Sequence, residues 1–477
     1  MLLRLLYDPK LAQASYLVGC QRTGEALVID PNRDVAQYLA AARSEGLTIR
    51  HVTETHIHAD FASGTRELAR AASATAYLSG EGGPDWLYAW AGEPGVRVVR
   101  HDDIIRVGNV RLRVLGTPGH TPEHLAFMLT DGAATDRPMG VFTGDFIFVG
   151  DVGRPDLLER AAHVAGTMEA GARALYRSLQ TFHDLPDYLQ LWPGHGAGSA
   201  CGKALGAVPS TTLGYERFAN WALAARNEAD FVRVVLEGQP EPPAYFAHMK
   251  RINREGPPVL GALPRPPRLA GAELPALLAA GATVVDTRGT RAFAEGHVPG
   301  TINVPLGRSF PTYAGWLVPF GRPFHLIVDD TRPGAAAEAT RDLALIGMDT
   351  CQGVFGADAL AAAGATGRIP QITAAALAER IRDGTASVVD VRGAGEWNEA
   401  RLPGVPNVPY GLIAERAAEL SRDGMLVVQC ETGSRSAIAA SVLASLGFRN
   451  VMNLTGGLDA WRAAGLPVER GVGAAVA

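Results

Sequence analysis

Thr53-Glu54-Thr55-His56-Ile57-His58-Ala59-Asp60-Phe61-Ala62-Ser63-Gly64 is the stretch around which the chain is arranged. His56 and His58 stand two apart and Asp60 follows two later, a spacing that turns ligand-type side chains toward one point. The stretch comes after the apolar run Ala26-Leu27-Val28-Ile29 and a helix-like segment over 35–46, which predicts a loop behind a buried strand. Neutral imidazoles and a carboxylate suit a borderline transition metal. A lone His-x-His pattern also occurs as ordinary surface histidines. The added aspartate, the turn at Gly64 and the helix-like run Thr65–Ala72 favour a metal.

The 477 residues allow about three domains. An apolar fraction of 47% with 19% charged residues is that of an ordinary globular chain, not a disordered one. A net charge of −5, without any Lys/Arg run, argues against nucleic acid as a partner. The start, Met1-Leu2-Leu3-Arg4-Leu5-Leu6-Tyr7-Asp8, is cut by charges before a signal core could form, and no segment has the length of a membrane span. Cys20, Cys201, Cys351 and Cys430 have no paired spacing, so free thiols in a reducing, cytoplasmic setting are expected.

Within 1–237, β-like runs at 26–29, 74–78, 96–100, 110–115, 125–129 and 140–142 alternate with helix-like ones, predicting sheets packed face to face under helices. Three more loops accompany the opening stretch: Thr117-Pro118-Gly119-His120-Thr121, Thr143-Gly144-Asp145 and Trp192-Pro193-Gly194-His195-Gly196. Each follows an apolar run and carries glycine, which lets backbone turn tightly beside a metal. This series resembles the metallo-β-lactamase superfamily. The resemblance implies an αββα sandwich with the metal at one end of the paired sheets. Most members have histidine after the aspartate of the opening motif, where this chain has Phe61. A phenyl ring cannot coordinate, and Asp60 with His195 alone would cage a second ion poorly, so one metal is expected.

Two histidines and a carboxylate on one face leave coordination positions open, as in non-haem Fe(II) oxygen chemistry. The persulfide dioxygenase branch has such a mononuclear iron, and Gly150-Asp151-Val152-Gly153-Arg154-Pro155-Asp156-Leu157 and Gly196-Ala197-Gly198-Ser199-Ala200-Cys201-Gly202 resemble that branch. The resemblance implies one Fe(II) per chain on His56, His120 and Asp145, with zinc as the alternative occupant of a recombinant sample. His58, Asp60 and His195 would then hold ligands and waters by hydrogen bonds. Arg154 has two readings, a contact to a substrate carboxylate or a structural salt bridge. Cys201 reads as a small buried hydrophobe or as a residue near the substrate channel.

Residues 238–268 are rich in proline and read as a semi-rigid linker, partly ordered around Tyr245-Phe246 and the helix-like 247–254. Beyond it the chain repeats. Thr283-Val284-Val285-Asp286-Thr287-Arg288 returns as Ser387-Val388-Val389-Asp390-Val391-Arg392, and His297-Val298-Pro299-Gly300 returns as Arg401-Leu402-Pro403-Gly404, both at an offset of 104. Two copies of this size are two domains, expected at 269–366 and 371–477. Strand runs alternating with helix-like segments, such as Ala374–Arg382 and 412–421, imply a central parallel sheet in each.

In the second copy the strand Met425–Gln429 runs into Cys430-Glu431-Thr432-Gly433-Ser434-Arg435, with a helix expected from about Ser436 to Gly447. A cysteine there faces several backbone N–H groups and a helix dipole, which with Arg435 favours the thiolate. The loop resembles the rhodanese family, whose cysteine carries sulfane sulfur. That implies Cys430 as the persulfide carrier, Arg435 beside it, and Glu431, Thr432, Gly433 and Ser434 as the anion loop. Asp330 occupies the corresponding place in the first copy and cannot hold sulfur, so that copy reads as an inactive rhodanese.

The fold class expected is α/β multidomain: an αββα metallo-β-lactamase sandwich plus two α/β rhodanese domains. The resemblances imply a persulfide dioxygenase joined to a thiosulfate sulfurtransferase in sulfide detoxification. A thiol persulfide, O2 and sulfite or thiosulfate are the expected small-molecule partners, without nucleic acid or membrane, in a homo-oligomer. The alternative is a glyoxalase II-like zinc thioester hydrolase fused to the sulfurtransferase.

Overall fold

Strand Glu25–Ile29 shows how the sequence builds the first layers. Its side chains alternate between two apolar environments: Leu27 and Ile29 face one core cluster, Ala26 and Val28 another. Both faces of the strand are therefore covered, which accounts for its continuous apolar run.

The computed structural model describes residues 1–162, 166–203, 205–364 and 367–471, without the side chains of 161 and 162. The domain ends expected at 366 and 477 lie outside the described residues. The chain divides into two compact units, Met1–Leu263 with Ala344–Gly347, and Pro264–Leu343 with Met348–Ala477.

In the first unit one six-stranded sheet runs in the order Leu2–Asp8, Gln13–Cys20, Glu25–Ile29, Thr48–Thr53, Thr75–Ser79, Val96–Val99. The first three strands are antiparallel and the rest parallel. The second sheet runs Thr211–Thr212, Gln190–Pro193, Gly140–Gly144, Leu125–Asp131, Val110–Gly116, Ile104–Val107. Tyr16, Val18 and Leu27 of one sheet meet Leu112, Phe127 and Phe142 in the core between them. Helices cover the outer faces: Ala36–Ser44 and Thr65–Ala72 on the first sheet, Thr167–Gln180 and Glu228–Leu236 on the second. This is the αββα sandwich. The strand that directly precedes the His56 loop is Thr48–Thr53, which the apolar pattern misses because Thr48 and Arg50 are exposed.

The proline-rich segment is not a bare spacer. Tyr245–Glu255 is a helix with Tyr245, Phe246, Met249, Lys250 and Asn253 buried in the first unit.

The second unit holds two four-stranded parallel sheets, ordered Ile302–Asn303, Thr283–Asp286, Phe324–Ile327, Cys351–Phe355 and Gln371–Ile372, Val451–Leu454, Met425–Gln429, Ala386–Asp390. The copies share a core in which Phe293 packs with Val389, Val428 and Ile438's neighbours Ala439 and Ala440. The expected helix Ala374–Arg382 forms. The one expected over 412–421 does not: two short 3-10 turns, Tyr410–Leu412 and Ala417–Glu419, take its place while Ile413 and Ala417 seat in the shared core. Tertiary packing overrides helix propensity there. Among the described residues no helix is long and apolar enough to cross a membrane.

Candidate functional site

Four strands of the first unit, Thr48–Thr53, Val110–Gly116, Gly140–Gly144 and Gln190–Pro193, each lead at their C-terminal ends into one of the four motif loops. The loops bring His56, His120 and Asp145 together, all buried. His56 Nε2 and His120 Nε2 lie 3.8 and 3.6 Å from Asp145 Oδ2. That spacing suits donors that each stand about 2.0–2.2 Å from a common ion.

The tautomers follow from the partners. Thr55 Oγ1 gives its hydrogen to Asp30 Oδ2 at 3.0 Å, so at 3.0 Å it accepts from His56 Nδ1. His120 Nδ1 donates to the Arg154 carbonyl at 3.0 Å. Each ring therefore turns a bare Nε2 toward Asp145, and neither Nε2 nor either Asp145 oxygen has a hydrogen-bond partner. Burial pushes the Asp145 carboxyl up to about 6, against His195 and with Asp60. Burial also drives His56 and His120 well below the ordinary histidine range, keeping both rings neutral. Two neutral imidazoles and a carboxylate, each with these atoms unpartnered, fit a metal ion.

Tight backbone makes the cluster possible. Gly144 has φ 51°, and a Cβ on Gly153 would lie 1.8 Å from the Asp145 carbonyl oxygen. The Asp145 N–H donates to His124 Nε2 at 3.1 Å, and His124 Nδ1 donates to Thr117 Oγ1 at 2.8 Å.

His58 turns away to Asp30, 3.2 Å from its Oδ1. Burial opposes charge on His58, but Asp30, Glu54 and Asp60 hold its pKa up to about 9. Phe61 is fully buried against His58, with ring centroids 4.3 Å apart. Asp60 and His195 stand 3.4 Å apart, and His195 Nε2 is 3.5 Å from Asp145 Oδ1. The sequence reading left these two without a third donor. The structure adds Cys201, giving a second group, Asp60, His195 and Cys201, with all ligand atoms within 4.8 Å of one another. Burial first, then the charges of Asp60 and Asp145, push the Cys201 thiol well above its ordinary range.

Arg154 is fully buried. Its guanidinium bonds Asp156 at 2.8 and 2.7 Å and the Pro240 and Ala200 carbonyls at 2.7 and 3.3 Å. Of its two readings, the structural salt bridge is the one these contacts describe. Asn253, in the segment read as linker, clamps the metal loop. Its Nδ2 donates to the His58 and Phe61 carbonyls, each at 2.8 Å, and its Oδ1 accepts from Ser63 N at 2.9 Å.

In the second unit Cys430 is buried where strand Met425–Gln429 ends and helix Ser434–Ser445 begins. Its Sγ accepts from Gly433 N at 3.2 Å and Ser436 Oγ at 3.3 Å. Gly433, at φ 92°, makes the turn that aims these donors. Arg435 is bidentate on Glu396, 2.7 Å for both bonds. Glu431 is held outward between Arg392 and Arg462, 2.6 Å from each. Thr432 Oγ1 lies 3.3 Å from Ser434 Oγ. In the first copy Asp330 forms a bidentate ion pair with Arg268 at 2.6 and 2.7 Å.

Sequence reasoning missed Asp30, Thr55, His124, Asn253, Glu396 and Ser436. His124 and Asp30 carried a faint signal, a second histidine in the His120 loop and an aspartate ending a strand. Asn253 carried none, being 192 positions from Phe61.

A model of the metallo-beta-lactamase superfamily matches residues 8–195. The solved structure of a metallo-beta-lactamase from Staphylococcus aureus is 44% identical, with a TM-score of 0.67, over 75% of this chain and 99% of that one. This chain belongs to the metallo-beta-lactamase superfamily. The superfamily domain is fused to a C-terminal rhodanese-like domain, whose model matches residues 373–464. Curated relatives of the superfamily domain include proteins of more than one activity. A hydroxyacylglutathione hydrolase of Rhodospirillum rubrum is 31% identical over 50% of this chain and 80% of its own length. The mitochondrial persulfide dioxygenase of Bos taurus is 29% identical over 41% of this chain and 68% of its own. The chain spans 61% of the beta-lactamase hydrolase-like protein of Xylella fastidiosa, at 28% identity. Membership of the superfamily implies a bound metal, and the His56–His120–Asp145 group is built to hold one.

Proposed function

We propose that this protein oxidises the sulfane sulfur of a low-molecular-weight thiol persulfide to sulfite with O2, at one iron held by His56, His120 and Asp145. The carrying observation is the buried pair of bare Nε2 atoms facing a single carboxylate, with the Phe61 ring on His58 beside them. Iron bound there would supply the redox chemistry that joins O2 to sulfur. The reaction balances as RSSH + O2 + H2O giving RSH and H2SO3, with the outer sulfur losing four electrons to O2. Asp30 through Thr55, and the Arg154 carbonyl, fix the two imidazoles. His58, Asp60 and His195 support the centre rather than complete it.

Cys430 carries sulfur between persulfide, sulfite and thiosulfate. Transfer of its outer sulfur to sulfite forms the S–S bond of thiosulfate and breaks the one on cysteine, returning the thiol. Gly433 N and Ser436 Oγ stabilise the leaving thiolate, and the loop 431–434 with Arg435 receives the anion. The domains proposed are 1–237 for the oxygenase, 269–366 for the inactive copy and 371–477 for the transferase. The helix Tyr245–Glu255 works with the first of these.

The Asp60–His195–Cys201 group favours a second reading, a two-ion zinc thioester hydrolase. O2 uptake on adding glutathione persulfide to iron-loaded protein separates the two, since a hydrolase consumes none. His120→Ala is expected to abolish O2 uptake and keep thiosulfate sulfurtransferase activity, while Cys430→Ser does the reverse. Retained O2 uptake in His120→Ala would sink the assignment.

A further inference from the structure

A further histidine, His124, stands fully buried among the three ligand residues without offering them a free nitrogen. Its Nε2 accepts the Asp145 N–H at 3.1 Å, so that nitrogen carries no proton and its lone pair is taken. The ring proton is then on Nδ1, which donates to Thr117 Oγ1 at 2.8 Å. The imidazole lies over the His56 ring, centroids 5.1 Å apart at 27°, and edge-on to the His120 ring, 6.4 Å away at 88°. One side chain thus borders all three members of the His56–His120–Asp145 group. The residues on either side of it hold the same loops: Glu123 Oε1 accepts from Ile57 N at 2.8 Å, and Leu125 N donates to the Thr55 carbonyl at 2.7 Å. Gly144 makes room for the ring, since a Cβ there would fall 2.8 Å from His124 Nε2.

Resting on the reading of His56, His120 and Asp145 as metal ligands, we infer that His124 is a positioning residue that presets this group, holding the Asp145 backbone through Nε2 and the His56 ring through its face. It is not a ligand itself, because both of its nitrogens are already engaged. Asp145 follows Gly144, whose φ is 51°, and its N–H points into an enclosed space. Without an acceptor that N–H would be left unpaired or the turn would move to satisfy it. Both ligand histidines face one oxygen of Asp145, at 3.8 and 3.6 Å, so a shift of the turn opens the whole group. Loss of His124 therefore shows as weaker metal binding and altered metal geometry with every ligand still present.

The test is cobalt(II) binding to the metal-free, full-length chain, with affinity read by chelator competition and geometry by the visible absorption of the bound ion. Wild type is compared with His124→Gln, whose amide reaches as far as Nε2, with His124→Asn, whose amide stops near Nδ1, and with His124→Phe, which keeps a ring on His56 but has no acceptor. His124→Phe and His124→Asn should bind cobalt about 10- to 100-fold more weakly with a changed spectrum. His124→Gln should regain most of the affinity and the wild-type bands. A side chain that only filled space would give the reverse order, with Phe near wild type and Gln impaired. Wild-type affinity and spectrum in His124→Phe, or no recovery in His124→Gln over His124→Asn, would overturn the inference. The Gln and Asn comparison decides the matter even if His124→Phe fails to fold. A wild type that took up no cobalt would refute the metal centre and this inference with it, an outcome distinct from variants that match a cobalt-binding wild type. No arm requires turnover, so a chain that consumed no O2 would leave the result standing.

Discussion

The Phe61 ring lies tilted at 34° against the imidazole of His58, centroid to centroid 4.3 Å. An apolar ring thus stands in the loop position where the superfamily resemblance places a ligand for a second ion. Asp60, His195 and the Cys201 thiol remain on that side, the thiol kept protonated by burial and by two neighbouring carboxylates.

Metal content follows from this contact. Iron-reconstituted wild type is expected to hold about one ion per chain, and Phe61→His to move toward about two with reduced O2 uptake. Elemental analysis of desalted protein reads the ratio. Two ions in the wild type would remove the mononuclear reading.

Asn253 makes three hydrogen bonds to the metal loop from another part of the sequence. Asn253→Ala leaves two carbonyls and one N–H without it, which should destabilise the first unit by about 2–4 kcal/mol. Metal affinity should fall about 10- to 100-fold, as when a supporting partner of a ligand is lost. Thermal melting and chelator competition measure the two effects. An unchanged chelator titration would show that the loop holds its shape without the clamp.

Arg154 separates structure from substrate binding. Arg154→Leu breaks a fully buried pair with Asp156, and about 3–5 kcal/mol of stability should go with it. A variant that kept its melting temperature and showed only a raised KM would restore the substrate role.

Glu396 gives the transferase unit an acid-sensitive bond. Burial acts to raise its carboxyl, but the two hydrogen bonds from Arg435 outweigh burial and hold it below the ordinary 4.5. A depressed carboxyl stabilises the fold above its unfolded-state pKa, and that contribution is lost as pH falls through the folded-state value. Glu396→Gln should therefore flatten the acid side of the stability curve. The effect should be small because the Glu396 side chain is 41% exposed. Melting curves of the two proteins that stayed parallel from neutral pH to well below 4.5 would refute this.

The sequence by itself determined the layered fold, the repeat in the second half, and the loops carrying His56, His120, Asp145 and Cys430. Those features are local: an apolar period marks a strand, and a glycine-bearing turn at its end sets a side chain whose type declares its chemistry. Phe61 and Asp330 were legible for the same reason, as residue types that cannot do what their positions would require. Only the tertiary structure decided what lies across space from those loops. It brought Cys201 to Asp60 and His195, seated the helix already legible within the proline-rich segment so that Asn253 and Lys250 reach the metal loop and the cavity beside His120, and enclosed Arg154. A sequence fixes which groups a chain possesses and their local turns. Whether a distant asparagine meets a carbonyl, or an ammonium is left without an acceptor, depends on packing between segments that no local period encodes.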